Sequence, residues 1–223
     1  MLRHRQTGGP STPADADADA QLIEAITDHV EAHVGTVSSV FHEIVSERVH
    51  IDVLTVAPTA TRPFFTLVTA GMSARPMTAP PQAPDELLAE LVLCLPPEWP
   101  LTEEAFTDER AYWPIRLLKT LARLPHQYDT WLWTGHTVPN CDPPEPYADG
   151  TLLCGATLLA PVLAPEEFER LESARGTTRF LSVIPLYAEE LELKLAQGAG
   201  VLAERLDGIG VTELLDSLRS SAA

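Results

Sequence analysis

An α+β domain, built on a mixed β-sheet partly covered by helices, is the fold class this sequence predicts. Three observations point there. Residues 41–77, FHEIVSERVHIDVLTVAPTATRPFFTLVTAGMSARPM, hold three strand-like runs at 41–45, 49–56 and 64–70, each rich in the Val, Ile, Phe and Thr that suit a pleated, half-buried surface. Such runs alternate along the chain with stripes at helical spacing, as in Leu22, Ile23, Ile26, Val30 and Val34, which is the pattern of packed layers around one core. Finally, 20 prolines in 223 residues, about twice the usual share, cut the chain into short elements and long loops. With 45% hydrophobic residues the chain has enough apolar surface for a sizeable single core.

Taken in order, residues 1–20 end in STPADADADA, a low-complexity polar tract expected to be disordered, which leaves 21–223 as the domain. Residues 21–35 form a helix on the stripe named above, stopped by Gly35. In the strand group, alternation places Ile51, Val53 and Thr55 on one face and His50 and Asp52 on the other. Gly71 closes the third run, where the backbone needs a positive φ. The connector TAPPQAP at 78–84 is too proline-rich for regular structure. Next, LLAELVLCL at 87–95, bounded by prolines, reads as a buried strand.

Ile115, Leu117, Leu118, Leu121 and Leu124 mark the buried side of a helix opening at Pro114 and ending at Pro125. A short strand at 130–134 leads into a stiff loop, GHTVPNCDPPEPYADG, at 135–150. Beyond it come a buried strand at 152–162, a short helix at 164–171, a last strand at 180–186, and helices at 187–197, 198–207 and 211–219. A single sheet of about six strands is expected. Glu190 and Lys194 are spaced as an i, i+4 pair, and Glu189, Glu190 and Glu192 read as a solvated helix face.

The charge balance is one-sided: Lys+Arg 15 against Asp+Glu 32, a net −17. Lys119 and Lys194 are the lysines, and no basic cluster occurs, which excludes nucleic-acid binding by phosphate neutralisation. An acidic surface either serves solubility or favours basic partners. No apolar run approaches the roughly 20 residues of a membrane helix, and the first residues lack the apolar stretch of a secretory signal. A cytoplasmic protein with no membrane partner is expected. Cys94, Cys141 and Cys154, odd in number and widely spaced, read as reduced thiols.

Several motifs could carry chemistry. GMSAR at 71–75 follows a strand, as a nucleophile elbow does, but lacks the second glycine and a following helix. It reads as a strand-ending turn. His29 and His33, four apart on a helix, share a face but have no third ligand, and read as structural. His42, Glu43, His50 and Asp52 could meet across the first hairpin, for acid–base chemistry, for a metal, or as a polar cross-strand network; strand register decides. No phosphate-binding glycine loop or CxxC pair occurs. The expectation is a non-enzyme with no catalytic residue, cofactor or metal. The loop at 135–150 is the expected partner surface: His136, Asn140, Asp142, Glu145 and Tyr147 supply hydrogen-bond groups, negative charge and an aromatic anchor. Alternatively the loop packs on its own domain, with Pro143, Pro144 and Pro146 as stiffeners.

Four segments also carry a resemblance. FHEIVSERVHIDV with TLVTAGMSARPM, then YWPIRLLKTLARLPHQYDTWLWTGHTVPN, then IPLYAEELELKLAQG are similar, in the same order, to the suppressor of fused domain family. The resemblance runs from about residue 21 to the C-terminus and concerns the family's N-terminal domain. It implies that domain's fold, a bacterial member, and a non-catalytic protein-binding role. Eukaryotic suppressor of fused binds and restrains Gli transcription factors, and bacterial relatives look like immunity proteins of toxin systems. The family's C-terminal domain, which helps clamp the Gli peptide, is unmatched, so Gli binding is not carried over. In animal members the region after the segment matching Gly135 and His136 helps grip that peptide beside a strand, although this sequence departs from the animal form beyond those two residues. A basic toxin fits the net charge. The competing readings are an assembly subunit that forms homo-oligomers, and an enzyme using the hairpin His/Asp/Glu group.

Overall fold

The computed structural model describes residues 13–42, 49–83 and 87–223. Among the described residues, eight strands form one mixed sheet: β1 (Val37–Phe41), β2 (Asp52–Val56), β3 (Phe65–Ala70), β4 (Leu88–Leu95), β5 (Thr137–Pro139), β6 (Gly155–Leu159), β7 (Arg170–Ser173) and β8 (Gly176–Leu186). Their order is β1-β2-β3-β4-β8-β6-β5, with β7 beside β8. The parallel β4–β8 pair, between antiparallel neighbours, makes the sheet mixed and the fold α+β.

β8 is the axis. One edge pairs with β4 from Leu88↔Thr178 to Val92↔Ser182. Its other edge takes β7 through Arg170↔Arg179 and β6 through Gly155↔Leu186. Strand alternation then distributes its side chains. Phe180 points into a core with Ile26 and Val30 of α1 (Pro13–His33), whereas Leu181 and Val183 enter a larger core with Ile115, Leu118 and Leu121 of α2 (Glu109–Tyr128). Ile184 and Leu186 meet Leu191 of α3 (Ala188–Gln197) and Leu202 and Leu206 of α4 (Ala199–Gly208). Thus α1 covers one end and α3–α4 the other end of one sheet face, and α2 covers the opposite face.

Several expected elements sit elsewhere, each for a local reason. The helix α1 begins at Pro13, so residues 13–20 belong to it and not to a disordered tail; residues 1–12 lie outside the described residues. Proline suits a helix start, alanine extends it, acidic residues suit its first turns, and Asp19 is tied down by Arg175 at 2.7 Å. The first described strand is Val37–Phe41, and most of the run expected at 41–45 falls in residues 43–48, which lie outside the described residues. α2 opens at Glu109, where the Asp108 carboxylate accepts from the Arg110 N–H at 2.9 Å, so Pro114 and Pro125 both fall inside the helix. Residues 130–134 are not a strand; the extended pairing comes just after, in β5.

The helix expected at 164–171 is a single 3₁₀ turn, Glu166–Glu169, followed by β7, because β8 offers Arg170–Ser173 a free edge. The strand expected at 152–162 shortens to β6. Residues 211–219 are not helical. Here the chain runs extended beside β4, with the Cys94 N–H donating to Glu213 O and the Leu215 N–H to Cys94 O, both at 2.8 Å. This C-terminal strap occupies the β4 edge that opens where β8 diverges after Ser182.

Gly71 has φ 121°, as its place after β3 requires, and a Cβ there would lie 2.0 Å from the His50 carbonyl oxygen. Gly71→Ala is therefore expected to cost roughly 1–3 kcal/mol or more from backbone strain alone; a urea midpoint unchanged from wild type would refute it.

Candidate functional site

The loop expected to meet a partner divides into anchored and exposed residues. Tyr147 is an anchor. It is only 4% exposed, its ring stacks on Trp113 with centroids 5.0 Å apart, and its N–H donates to Leu153 O at 2.9 Å. Arg116 holds the Tyr147 carbonyl at 2.8 Å. A side chain stacked inside the main core cannot serve as a surface anchor, so the expectation for Tyr147 is corrected to packing. Burial also pushes its phenol far above the ordinary range. Asn140 closes the loop on itself: its Nδ2 donates to the Glu145 and Pro146 carbonyls at 2.9 and 3.3 Å. His136 packs edge-on against Trp131 at 4.6 Å, and its partial burial, with Lys194 nearby, holds its imidazole below the usual range. Asp142 and Glu145, with the prolines at 143, 144 and 146, face solvent.

The loop wall continues into a groove of about 700 Å³. Its lining includes Pro144 and Pro146 of the loop, Leu152, Glu189 of α3, and Leu218 and Arg219 of the C-terminal strap. Leu152 and Leu218 are 71% and 80% exposed, so this is an apolar surface with Glu189 and Arg219 as its charged groups. Sequence periodicity missed both. Leu152 was expected inside a strand and Leu218 on a helix, and nothing local to either signals a groove built from two distant segments.

One wall is held by a buried ion pair. Glu190, expected on a solvated face, is fully buried. Arg219 clamps it bidentately, with Nη1–Oε1 and Nη2–Oε2 both 2.6 Å. The same carboxylate accepts from the Tyr187 N–H, capping α3, and from the Ala222 N–H, at 2.9 and 2.8 Å. The Arg219 guanidinium lies over the Tyr187 ring at 4.9 Å and donates to Pro185 O. Glu190 thus joins the α3 start to the strap, and does not face Lys194 across a solvated helix.

The turn after β3 resolves the serine motif. Ser73 is buried, and its hydroxyl donates to Glu90 at 2.6 Å. Glu90, at the middle of β4, is fully buried and also accepts from the Thr69 hydroxyl at 2.6 Å and from the N–H groups of Gly71, Met72 and Ser73 at 2.9, 3.3 and 2.9 Å. Burial pushes this carboxyl up, and the hydrogen bonds from Ser73, Thr69 and Gly71 pull it part of the way back. The arrangement is a strand-ending turn folded on a carboxylate, and no nucleophile is presented. His29 is structural as expected: its ring stacks on Phe168 and Phe180, and burial lowers its pKa. Cys94, Cys141 and Cys154 are free thiols; burial pushes Cys94 up to about 12. Of the hairpin group, His42, His50 and Asp52 come together, while Glu43 lies outside the described residues.

Against known proteins, residues 47–220 match the family model of suppressor of fused protein. The fold is similar to the crystal structure of a suppressor of fused homologue from Neisseria gonorrhoeae, with a TM-score of 0.68 and 17% identity over 92% of this chain and 98% of that one. It is similar to a chain of the Sufu–Fu complex at a TM-score of 0.61 and 14% identity, covering 90% of this chain and 92% of that one. Drosophila Suppressor of Fused gives a TM-score of 0.53 at 14% identity over 78% of this chain, which spans 42% of the Drosophila chain. No curated protein matches by sequence.

Proposed function

Since the chain belongs to the suppressor of fused family, we propose that it is a non-catalytic protein-binding module of the cytoplasm that neutralises a basic protein, in the manner of a bacterial immunity protein and its toxin. The observation that carries this reading is the groove between the proline loop and the C-terminal strap. It combines exposed Leu152 and Leu218 with Glu189, and the loop that lends it Pro144 and Pro146 also carries the exposed acids Asp142 and Glu145. An apolar centre with a charged rim is the anatomy of a protein interface, and a net charge of −17 selects a basic partner and speeds its approach. That a related chain is seen in the Sufu–Fu complex supports a protein as the partner. Among the described residues no helix is long and apolar enough to cross a membrane.

The test is affinity capture from the native cells at low salt, followed by mass spectrometry, with Asp142→Ala/Glu145→Ala beside wild type. Both side chains are exposed, so the variant should hold its stability within about 0.5 kcal/mol. It should capture less of the partner, and the wild-type association rate should fall several-fold between about 0.05 and 0.5 M salt. Undiminished capture by the variant would move the interface away from this loop. A rate flat in salt would remove the electrostatic part, and symmetric self-association with nothing captured would favour an assembly subunit.

A further inference from the structure

The sheet register creates a second site on the opposite edge, independent of the partner groove. β1 and β2 pair antiparallel through Val40↔Leu54 and Phe41↔Val53, so His42 continues the ladder opposite Asp52. His50 lies two residues before Asp52, on the same side of that strand. The outcome is convergence: His42 Nδ1 is 3.1 Å from Asp52 Oδ2, and His50 Nε2 is 2.9 Å from Asp52 Oδ1. The three potential ligand atoms all lie within 4.8 Å of one another. Asp52 is held in the sheet with its side chain 6% exposed, whereas His42 and His50, at 70% and 47%, close over it from the water side.

We propose that His42, His50 and Asp52 bind a divalent transition-metal ion of the zinc class. Two imidazole nitrogens and one carboxylate form a borderline donor set that suits zinc, cobalt or nickel, and is too rich in nitrogen for magnesium or calcium. Ligands at about 2.0–2.2 Å from a tetrahedral ion stand roughly 3.4 Å apart. The two nitrogen–oxygen separations lie within a few tenths of an ångström of that, and the two exposed imidazole nitrogens have at most 4.8 Å between them to close. Without metal, the two imidazoles hydrogen-bond the carboxylate; on binding, the ion takes the place of those hydrogens and each neutral imidazole keeps its one proton on the other ring nitrogen. Lys119 from α2 donates to the His42 carbonyl at 3.3 Å, which steadies the His42 backbone. The fourth position opens to solvent. A bound ion would clasp the two ends of the connection between β1 and β2.

The experiment uses the full chain without an affinity tag, stripped with chelator, titrated with Zn²⁺ by calorimetry and with Co²⁺ by visible absorption. The expected result is one equivalent bound, tetrahedral Co²⁺ bands, a raised melting temperature, and affinity about tenfold or more lower in His42→Gln and in His50→Gln. Controls at other potential ligands, His29→Gln and Cys141→Ser, should bind as wild type. In the unmutated protein, Zn²⁺ should also shift the ring-nitrogen resonances of His42 and His50. No binding up to about 100 µM, where a site of any stabilising consequence would fill, overturns the proposal. So does binding that survives both glutamine variants, binding lost in either control, or shifts confined to other histidines.

Discussion

Glu90→Ala is expected to destabilise the fold by about 3–5 kcal/mol, the range for removing one partner from a buried charged network. Three backbone N–H groups and two hydroxyls converge on that carboxylate in a site without solvent access. Alanine leaves all five buried and unpaired, and adds a cavity inside β4. The damage should travel. Glu90 shapes the turn at 71–73, and Gly71 packs against the His50 carbonyl, so the edge hairpin loosens with it. Glu90→Gln keeps an acceptor but turns an amide N–H toward donors, and should cost less than alanine while remaining clearly below wild type. Urea denaturation of the three proteins checks this. A loss under about 1 kcal/mol for the alanine variant would mean that the donors find other partners, and the turn would not depend on Glu90.

Arg219→Ala should be comparably severe, about 3–5 kcal/mol, because it strands the Glu190 carboxylate at the start of α3. Here the loss has a local signature as well. Arg219 joins the strap to Pro185 O and Glu190, so residues 211–223 should become cleavable by added protease before the sheet unfolds. Partner capture should fall in parallel, since the strap is one wall of the groove. Replacing the pair together, with Glu190→Leu and Arg219→Met, should recover much of the stability, as apolar side chains of similar volume need no counter-charge. If the single variant is as stable and as protease-resistant as wild type, the ion pair is not what holds the strap.

Much of the scaffold was legible from residues alone. The runs that became β2, β3 and β4 and the leucine stripe of α2 follow from local periodicity, because an element that buries one face must repeat its apolar residues at its own pitch. Gly71 was legible for the same kind of reason: a strand-ending turn with positive φ admits little else. The family was carried by short ordered segments such as YWPI and the run from Leu117 to Pro125.

What only tertiary structure decided was the partner of each polar group. Glu90 and Glu190 look alike in sequence to any other glutamate, yet both are fully buried, since, the Tyr187 N–H apart, donors 17 to 32 residues away arrive around them. Tyr147 belonged to a loop and became core because Trp113 offers it a face. Val211, Leu214, Leu215 and Leu218 sit at helical spacing, but the chain around Leu214 runs extended because it pairs with the Cys94 edge of β4 that β8 leaves. Whether His42 meets Asp52 hung on register, and a one-residue slip would have sent them to opposite faces. Periodicity reports which face of an element is apolar; hydrogen bonds and charges are settled by whichever distant segment completes them, and that information is not local.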